Sequence, residues 1–375
     1  MRQYTVMIKP ASALCNLRCK YCFYFDVAGH REDHELKKMT EETANRILCS
    51  LGSSLTFGDE LTIAFQGGEP MLMGLAYYRS FVEQMANQNE KISIKYAIQT
   101  NATLINEEWC SFFKEHGFLV GVSYDLLPES HNEARVDPSG KGTGKAVEQA
   151  IAMLRRYGVE FNVLCTLTNG GARHPQQAWK RILQLDLAYT QFTPCLNALD
   201  QSKKTVYGLT PKRFASFYNT LFPLWFEEYQ LGRYRSIKFF DDVINLMAFG
   251  IPSSCGMDGV CRPQLVVESD GSAYPCDFYC LDEYKTGNLC DQTIGEILES
   301  PIAREFVERG HEQPELCKSC ELYAFCGGGC KRMQAEICCA KDDTYCGYAD
   351  FLRTNMTALR NIVLRERRAR GYGEA

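Results

Sequence analysis

The stretch ALCNLRCKYCFYFD, residues 13–26, contains three cysteines in one short segment, at Cys15, Cys19 and Cys22. A structural zinc site takes four ligands and a disulfide takes two, so three thiols at the spacing C-x3-C-x2-C complete neither kind of site. A site that keeps an open coordination position fits these three thiols better.

The composition of the chain indicates a globular protein. Its 375 residues, 45% of them hydrophobic and 23% charged, are enough for one large core and a smaller second domain. The net charge of −5 includes no basic surplus that would support a nucleic-acid partner. No run of about 18 apolar residues occurs, and the N-terminal MRQYTVMIKPAS is too briefly apolar for a signal peptide. We therefore expect a cytoplasmic protein with neither a membrane nor a nucleic-acid partner.

The 19 cysteines are unusually many for a cytoplasmic chain. Between the early group and a dense group over 255–346, only four occur, namely Cys49, Cys110, Cys165 and Cys195. Because cytosolic thiols stay reduced, clustered cysteines there more often bind metal than form disulfides. The distribution therefore predicts two metal-binding regions.

The region between the two cysteine groups alternates between strand and helix patterns. Short β-branched or aromatic runs predict six strands, YTVMI (4–8), LTIAF (61–65), KYAIQ (95–99), FLVGVS (118–123), FNVLCTL (161–167) and TQFTP (190–194). Helical spacing predicts five helices between them, at roughly 40–51, 75–88, 107–116, 143–157 and 175–185. The expected helix starts are Thr40, Asn106, Thr143 and the pair His174–Pro175.

Alternation of this kind implies parallel strands joined by right-handed crossovers. A doubly wound sheet and a partial barrel both satisfy it. The cysteine loop and the segments QGGEP, QTNAT, SYDLLP and TPCL all follow the carboxyl ends of successive predicted strands. In a barrel those ends converge on one mouth, which is where active sites lie. The pattern therefore favours a barrel with its active site at that mouth.

With Tyr21 before its last cysteine, the C-x3-C-x2-C motif resembles the signature of the radical S-adenosylmethionine (SAM) enzymes. The resemblance implies a partial (β/α)6 barrel of the TIM type and a [4Fe-4S] cluster held by Cys15, Cys19 and Cys22. It also implies that the fourth iron binds the amino and carboxylate groups of SAM, which would account for the open position. Soft thiolates suit such a cluster. The alternative is a zinc ion completed by a distant residue.

Polar residues near the predicted strand ends resemble the SAM-binding positions of that family. FQGGEP (65–70) resembles the GGE motif, in which glycines admit a close ligand and the glutamate contacts the methionyl amino group. HNEAR (131–135) resembles another family motif, whose arginine could bind a carboxylate or peptide carbonyls; an exposed arginine in a salt bridge is the alternative. The implied SAM-binding residues are Tyr24, Gln66, Gly67, Gly68, Glu69, Gln99, Asn101, Ser123 and Arg135.

The dense cysteine group supplies eight thiols at C-x5-C-x14-C, then C-x2-C-x5-C-x3-C and one more cysteine, enough for two four-coordinate centres. This pattern resembles the SPASM domain, which carries two auxiliary [4Fe-4S] clusters. The resemblance assigns Cys255, Cys261, Cys276 and Cys330 to the first auxiliary cluster, and Cys317, Cys320, Cys326 and Cys346 to the second. The surplus thiols are Cys280, Cys290, Cys338 and Cys339, of which Cys338 or Cys339 could replace Cys346. A pair of zinc ribbons is the alternative.

Longer matches resemble the anaerobic sulfatase-maturating enzymes over nearly the whole chain, namely MIKPASALCNLRCKYCFYFD, AFQGGEP, IQTNATL, FNVLC, SSCGMDGVC and VVESDGSAYPCDFY. This resemblance implies oxidation of a cysteine or serine of an unfolded sulfatase segment to Cα-formylglycine. A 5′-deoxyadenosyl radical would take a hydrogen from Cβ, and a donor such as flavodoxin or ferredoxin would supply electrons. A radical maturase that cross-links a ribosomally made peptide is the alternative.

Asp277, directly after Cys276, matches the family residue proposed to take the thiol or hydroxyl proton, and we predict that it is the catalytic base. The domains expected are a radical SAM barrel over 1–235, a SPASM domain over 236–350 and a C-terminal helix and tail over 351–375.

Overall fold

A computed structural model describes residues 2–32, 37–88, 92–200, 205–309, 313–339 and 343–372. Its strands, in chain order, are β1 (Gln3–Ile8), β2 (Glu60–Phe65), β3 (Ser93–Thr100), β4 (Leu119–Ser123), β5 (Phe161–Leu167), β6 (Tyr189–Pro194), β7 (Ser236–Ile237), β8 (Leu265–Val267), β9 (Ser272–Tyr274) and β10 (Gly287–Asn288). Its helices are α1 (Phe23–Ala28), α2 (Glu41–Ser54), α3 (Leu75–Gln88), α4 (Glu107–Glu115), α5 (Pro128–Ala134), α6 (Gly144–Arg156), α7 (Pro175–Gln184), α8 (Pro211–Gln230), α9 (Lys238–Phe249), α10 (Ile294–Leu298), α11 (Pro301–Glu308), α12 (Glu315–Lys318), α13 (Tyr323–Cys326), α14 (Gln334–Ile337) and α15 (Gly347–Ala369).

The chain divides into two compact units, each built from separate segments of the sequence. The first unit comprises residues 1–124, 131–161 and 263–309, and the second comprises 125–130, 162–262 and 310–375. The first unit therefore contains both the cysteine loop and Asp277, which are far apart in sequence. The domain boundaries expected after residues 235 and 350 stay a prediction.

β1 lies inside the sheet of the first unit, whose strand order is β10-β9-β8-β1-β2-β3-β4. Val6 of β1 pairs in parallel with Ile63 of β2 on one side and with Leu265 of β8 on the other. β3 and β4 continue the parallel run, whereas β8, β9 and β10 pair antiparallel. Because β1 to β4 are parallel, the segments that follow them begin at the same edge of the sheet.

A continuous apolar core supports this sheet. Ile8, Ile63 and Phe65 have no exposed surface, and the Phe65 ring packs edge-on against Tyr78 of α3 with ring centroids 4.9 Å apart. Full burial of a side chain of this size contributes about 1.5–3 kcal/mol. The core therefore fixes the strand ends from which the site residues project.

The second unit contains the parallel strands β5, β6 and β7 and an aromatic helical core. Trp225 of α8 packs against Phe240 of α9 at 5.1 Å between ring centroids, and Phe240 stacks on Phe351 of α15 at 5.9 Å. The C-terminal helix expected from residue 351 thus begins at Gly347 and forms part of this core. None of the helices in the described ranges combines the length and apolar composition of a membrane-spanning helix.

The six predicted strands correspond to β1 to β6, and the five predicted helices correspond to α2, α3, α4, α6 and α7. Thr40 and Asn106 cap their helices through side-chain oxygens, which accept from the N–H groups three residues on at 3.1 Å and 3.0 Å. Pro175 opens α7 as expected. Thr143 precedes α6 without a capping bond, because its hydroxyl donates to the Arg135 carbonyl at 2.9 Å.

Candidate active site

The three early cysteines lie on the loop between β1 and α1. Cys22 directly precedes α1, and its N–H donates to the Cys19 carbonyl at 3.3 Å. The Cys15 sulfur accepts from the Leu17 N–H at 3.3 Å. All three cysteines are partly or fully exposed. The loop therefore presents three thiols to a ligand outside the core.

The glycines of the GGEP segment let the backbone after β2 approach the cysteine loop closely. The Gly68 N–H donates to the Ser12 carbonyl at 2.7 Å, and the Glu69 N–H donates to the Leu14 carbonyl at 2.8 Å. A Cβ atom on Gly68 would lie 2.1 Å from the Leu14 oxygen, and Gly67 has a φ of +114°. Only glycine fits these two positions, so the motif holds the cysteine loop in place.

The Glu69 side chain is fully buried and forms no ion pair with any described residue. Its Oε1 accepts from the Met71 N–H at 3.0 Å and the Thr100 hydroxyl at 2.8 Å, and its Oε2 accepts from the Asn101 N–H at 2.8 Å. Burial raises the pKa of Glu69 to about 7, and these hydrogen bonds offset the rise only in part. A cation brought by a ligand would stabilise the carboxylate.

Asn101 connects the end of β3 to the cysteine loop. Its side-chain amide donates to Asn16 Oδ1 at 2.8 Å and lies 3.8 Å from the Cys15 sulfur. Nearby, the Gln99 amide donates to the Ser123 hydroxyl at 2.9 Å, which joins the ends of β3 and β4. Four of the predicted SAM-binding residues therefore form two hydrogen-bonded pairs, Glu69 with Asn101 and Gln99 with Ser123.

Asp277 begins a short 3-10 helix (Asp277–Tyr279) and is almost completely buried, with 8% of its surface exposed. Its Oδ1 lies 2.6 Å from the Lys9 Nζ, and its Oδ2 accepts from the Gln66 side-chain amide at 2.8 Å. The side chain of Gln66 thus contacts the predicted base, although the sequence motif groups it with Glu69.

Tyr24 takes part in a buried polar network next to Asp277. Its hydroxyl donates to the Glu268 carboxylate at 2.6 Å, and Arg31 donates to the same carboxylate at 2.8 Å. The Lys9 Nζ lies 3.8 Å from the centre of the Tyr24 ring. The expected contact of Tyr24 with SAM stays a prediction.

Arg135 is buried, with 7% of its surface exposed, so the exposed arginine of the alternative interpretation is not observed. Its guanidinium lies 5.4 Å from the centre of the Tyr21 ring, within the cysteine motif. Desolvation of its sulfur atom raises the pKa of the Cys22 thiol, and hydrogen bonds from the Phe25 and Tyr24 N–H groups, followed by the charge of Arg135, reduce that rise. The arginine therefore lies close to the cysteine loop, and its contact with a ligand stays a prediction.

Five cysteines of the second unit line one small cavity, namely Cys317, Cys320, Cys326, Cys338 and Cys346. Cys346 directly precedes α15, and its sulfur accepts from the Ala349 N–H at 3.4 Å. Hydrogen bonds from Cys338 and Cys339 lower the pKa of Cys346 below its ordinary value. The four predicted ligands of the second auxiliary cluster therefore lie together, with two surplus thiols beside them.

Three of the four predicted ligands of the first auxiliary cluster also lie near one another in the second unit. Burial raises the pKa of Cys261, and the neighbouring thiols of Cys255 and Cys330 raise it further. The loop of Cys255 approaches that of Cys330 closely, since a Cβ atom on Gly256 would lie 2.7 Å from the Cys330 Cβ. Cys276 belongs to the first unit, so the complete ligand set stays a prediction.

Two family models match the chain, the radical SAM superfamily over residues 10–185 and SPASM, an iron-sulfur cluster-binding domain, over residues 255–321. A cysteine-type anaerobic sulfatase-maturating enzyme of Clostridium novyi is 40% identical over 334 residues, which cover 88% of this chain and 89% of the relative. The chain belongs to the anaerobic sulfatase-maturating enzymes. A serine-type enzyme of Bacteroides thetaiotaomicron is 30% identical over 343 residues, covering 87% of this chain and 82% of the relative.

A solved structure of a sulfatase-maturating enzyme named anSMEcpe, with bound AdoMet and Kp18Cys peptide, confirms the predicted fold class. It matches with a TM-score of 0.88 and 36% identity, covering 97% of this chain and 99% of the other. Streptococcus suis SuiB, at 16% identity and a TM-score of 0.60, shares the fold. The fold is thus that of a radical SAM domain followed by a SPASM domain.

The cofactors of this sulfatase-maturating enzyme are SAM and three [4Fe-4S] clusters. The alternative interpretations of the cysteine groups as zinc sites are therefore wrong. The first unit fits SAM and its cluster, because three thiols share one loop and the buried Glu69 lacks a cation. The five-cysteine cavity fits an auxiliary cluster, since its lining is thiol and apolar. The assignment of individual residues to each group stays a prediction.

Our sequence analysis missed two charged residues of the maturating enzyme's first unit, Lys9 and Glu268. Each directly follows a strand, β1 and β8, and these strands pair in parallel. A charged residue immediately after a buried apolar strand is the signal that could have indicated them. The surplus Cys280 is also part of this group, because its sulfur accepts from the Lys9 Nζ at 3.4 Å.

Proposed function

We propose that this enzyme oxidises a cysteine of an extended sulfatase segment to Cα-formylglycine. The proposal is carried by the 40% identity over 88% of the chain to a cysteine-type enzyme, whereas two serine-type relatives are 30% and 28% identical. The peptide in the anSMEcpe structure supports a peptide substrate. Cysteine is therefore the proposed target, with serine as a poorer substrate.

Asp277 is the proposed proton acceptor in this reaction. When bound, SAM and the clusters supply the radical that removes a hydrogen atom from the substrate Cβ, and they take up one electron. The Asp277 carboxylate, in contact with Lys9 and Gln66, accepts the thiol proton. The substrate thus loses a hydrogen atom, a proton and an electron and becomes a thioaldehyde. Water then replaces the sulfur, which leaves as hydrogen sulfide, and the aldehyde remains.

The remaining residues of the first unit bind and orient the cofactor in this proposal. Glu69 binds the amino group of SAM, which supplies the cation that its buried carboxylate lacks. Gln99, Asn101 and Ser123 supply donors and acceptors for the ribose and carboxylate. The cluster ligands proposed are Cys15, Cys19 and Cys22 for the SAM cluster, and the two SPASM sets given above.

The proposed partners are an unfolded sulfatase segment and an electron donor such as flavodoxin or ferredoxin. A folded sulfatase would bury its own active-site residue, so the target has to be reached in an extended chain. We propose a cytoplasmic location, because the many thiols need a reducing compartment.

The proposal is tested with two short peptides that contain Cys-x-Pro-x-Arg or Ser-x-Pro-x-Arg. Each is incubated anaerobically with reconstituted enzyme, SAM and reductant, and the products are analysed by mass spectrometry. We expect the cysteine peptide to show replacement of its thiol by an aldehyde, at a higher rate than the serine peptide. A peptide that only loses two hydrogens and keeps its sulfur would indicate a cross-linking maturase, and the proposal would be wrong.

A further inference from the structure

Lys9 is a fully buried lysine placed directly after β1. Its backbone N–H donates to the Val267 carbonyl at 2.8 Å, so the residue is held beside the end of β8. Its Nζ lies 2.6 Å from Asp277 Oδ1, 3.6 Å from Glu268 Oε1 and 3.4 Å from the Cys280 sulfur. With no exposed surface, Lys9 cannot itself touch a substrate.

The lysine is cationic in this environment. Burial lowers the pKa of Lys9, but Asp277, Cys280, Tyr24 and Glu268 together raise the pKa well above its ordinary value. Three buried side chains and the partly buried Arg31 therefore form a group of balanced charge, the cations of Lys9 and Arg31 with the carboxylates of Glu268 and Asp277.

Within this group, Lys9 is assigned to Asp277 rather than to Glu268. Glu268 already pairs with Arg31 at 2.8 Å and accepts from the Tyr24 hydroxyl at 2.6 Å. Asp277 forms an ion pair with Lys9 alone among the described residues. Removal of Lys9 would therefore leave Asp277, and not Glu268, without a cation.

Both oxygens of Asp277 are held by side chains that follow adjacent strands. Oδ1 contacts Lys9 after β1, and Oδ2 accepts from Gln66 after β2. We propose that Lys9 is a positioning residue, which holds the Asp277 carboxylate in the orientation for accepting the substrate proton. The inference rests on the proposed function, because it assumes that Asp277 is the base. A support on two rigid strands gives the precision that a catalytic group needs.

The test compares Lys9→Met with the double variant Lys9→Met/Glu268→Gln. The methionine keeps the length and apolar stem of the lysine, and the second substitution restores neutrality, since Arg31 then balances Asp277. Lys95→Met is the matched control, because Lys95 also forms an ion pair, with Glu60 at 2.8 Å. Lys95 is exposed and lies near the start of β3, whereas the site residues follow the carboxyl ends of the strands. Iron content and melting temperature are measured for every variant.

The readout is formylglycine formed per 5′-deoxyadenosine released, together with kcat and KM for the cysteine peptide. In the double variant we expect 5′-deoxyadenosine release to continue, while formylglycine per 5′-deoxyadenosine falls about tenfold or more, a loss seen in kcat rather than KM. Lys95→Met should match the wild type.

Two results would overturn the inference. A double variant that keeps the wild-type ratio shows that Asp277 is positioned without Lys9. A double variant in which both products fall in parallel, with lost iron or a lower melting temperature, shows that Lys9 serves folding alone. Failure of the proposed function is separate, because it would appear as absence of formylglycine from the wild-type enzyme.

Discussion

Glu69 and Asp277 are both buried carboxylates, but only Asp277 has a cation beside it. The oxygens of Glu69 accept hydrogen bonds from neutral donors only, whereas Asp277 contacts the Lys9 ammonium at 2.6 Å. The two side chains therefore suit different tasks. Glu69 lacks a cation that a bound ligand can supply, and Asp277 is held by a cation that the chain itself supplies.

We expect Glu69→Gln to weaken SAM binding by about 1.5–3 kcal/mol, the range for a hydrogen bond to a charged group. Because burial raises the pKa of Glu69 to about 7, SAM binding to the wild type should tighten as the pH rises through about 7. The glutamine variant should show no such dependence. Calorimetric titration of SAM into anaerobically reconstituted enzyme, below and above this pH, measures both effects.

In the absence of SAM, the same carboxyl group makes the folding stability of the enzyme depend on pH. Since the pKa of Glu69 is raised from 4.5 to about 7, the native state binds the proton more tightly than the unfolded chain does. The stabilisation that the protonated Glu69 contributes is therefore fully present below about pH 4.5 and is lost as the pH rises through about 7. Equal pH dependence in the wild type and Glu69→Gln would contradict this account.

For Asp277→Asn, we expect the release of 5′-deoxyadenosine to persist while formylglycine falls by about 10² or more, the lower range for a lost general base. Asparagine keeps the shape of the side chain and removes the proton acceptor. Mass spectrometry of peptide and nucleoside products from one reaction gives the ratio. A variant with wild-type product yield would keep the reaction class but place the base elsewhere.

At the residue scale, our sequence analysis predicted the groups that belong to local motifs and missed those that depend on distant packing. Glu69 and Asp277 lie in short recognisable segments. Lys9 meets Cys280 across 271 positions of sequence, and Tyr24 meets Glu268 across 244. No local pattern records such pairs, because they exist only once β8 lies beside β1.

At the scale of elements, periodicity predicted the long strands and helices and missed the short ones. β8 and β9 have three residues each, and β7 and β10 have two, so a period of two residues cannot be recognised in them. β7 and β8 are fixed by pairing with the longer strands β6 and β1, and β9 and β10 extend the sheet from β8. Asp277 follows the short strand β9. The sequence motif could therefore identify Asp277 as the candidate base, but the sequence could not predict which residues lie beside it.

The close approach between the GGEP segment and the cysteine loop makes a prediction about Gly68. In Gly68→Ala the new Cβ would lie 2.1 Å from the Leu14 oxygen, so the loop must shift. We expect a loss of stability of about 1–3 kcal/mol, as for other overpacked sites, and a larger loss of SAM cleavage. Thermal unfolding and 5′-deoxyadenosine release measure the two effects.

Gly295→Ala is the matched control for this substitution. Gly295 lies in α10, and a Cβ atom there meets nothing within 4 Å. Alanine should therefore leave SAM cleavage intact and keep or slightly raise stability. Similar losses in both variants would show that the contact with Leu14 is not the cause.

The position of Cys346 before α15 favours it over Cys339 as a cluster ligand. Its sulfur accepts from the Ala349 N–H at 3.4 Å, and a helix N-terminus stabilises a thiolate. We expect Cys346→Ala to reduce the iron content from about twelve to about eight atoms per chain, whereas Cys339→Ala should keep about twelve. Iron analysis after anaerobic reconstitution decides between them, and the reverse result would assign the ligand to Cys339.

For the whole molecule, the cysteines predicted to hold the SAM cluster belong to the first unit, and those predicted to hold the second auxiliary cluster belong to the second. The cavity lined by Cys317, Cys320, Cys326 and Cys346 lies wholly within the second unit, whereas the early cysteine loop belongs to the first. Replacing Cys15, Cys19 and Cys22 together by alanine should abolish SAM cleavage and leave about eight iron atoms bound. Release of 5′-deoxyadenosine by this variant would show that the SAM cluster is held elsewhere.

The pairing of β8 with β1 affects how the enzyme is made. During translation β1 leaves the ribosome about 260 residues before β8, an interval of roughly 13–50 s at about 5–20 residues per second. Throughout this interval the edge of β1 that β8 will cover is unpaired, and such an edge is a site where nascent chains associate. Lys9 likewise lacks both carboxylate partners until residue 268 has been synthesised, and it lacks Asp277 until residue 277. The yield of active enzyme is therefore expected to depend on protection of the growing chain as much as on the finished fold.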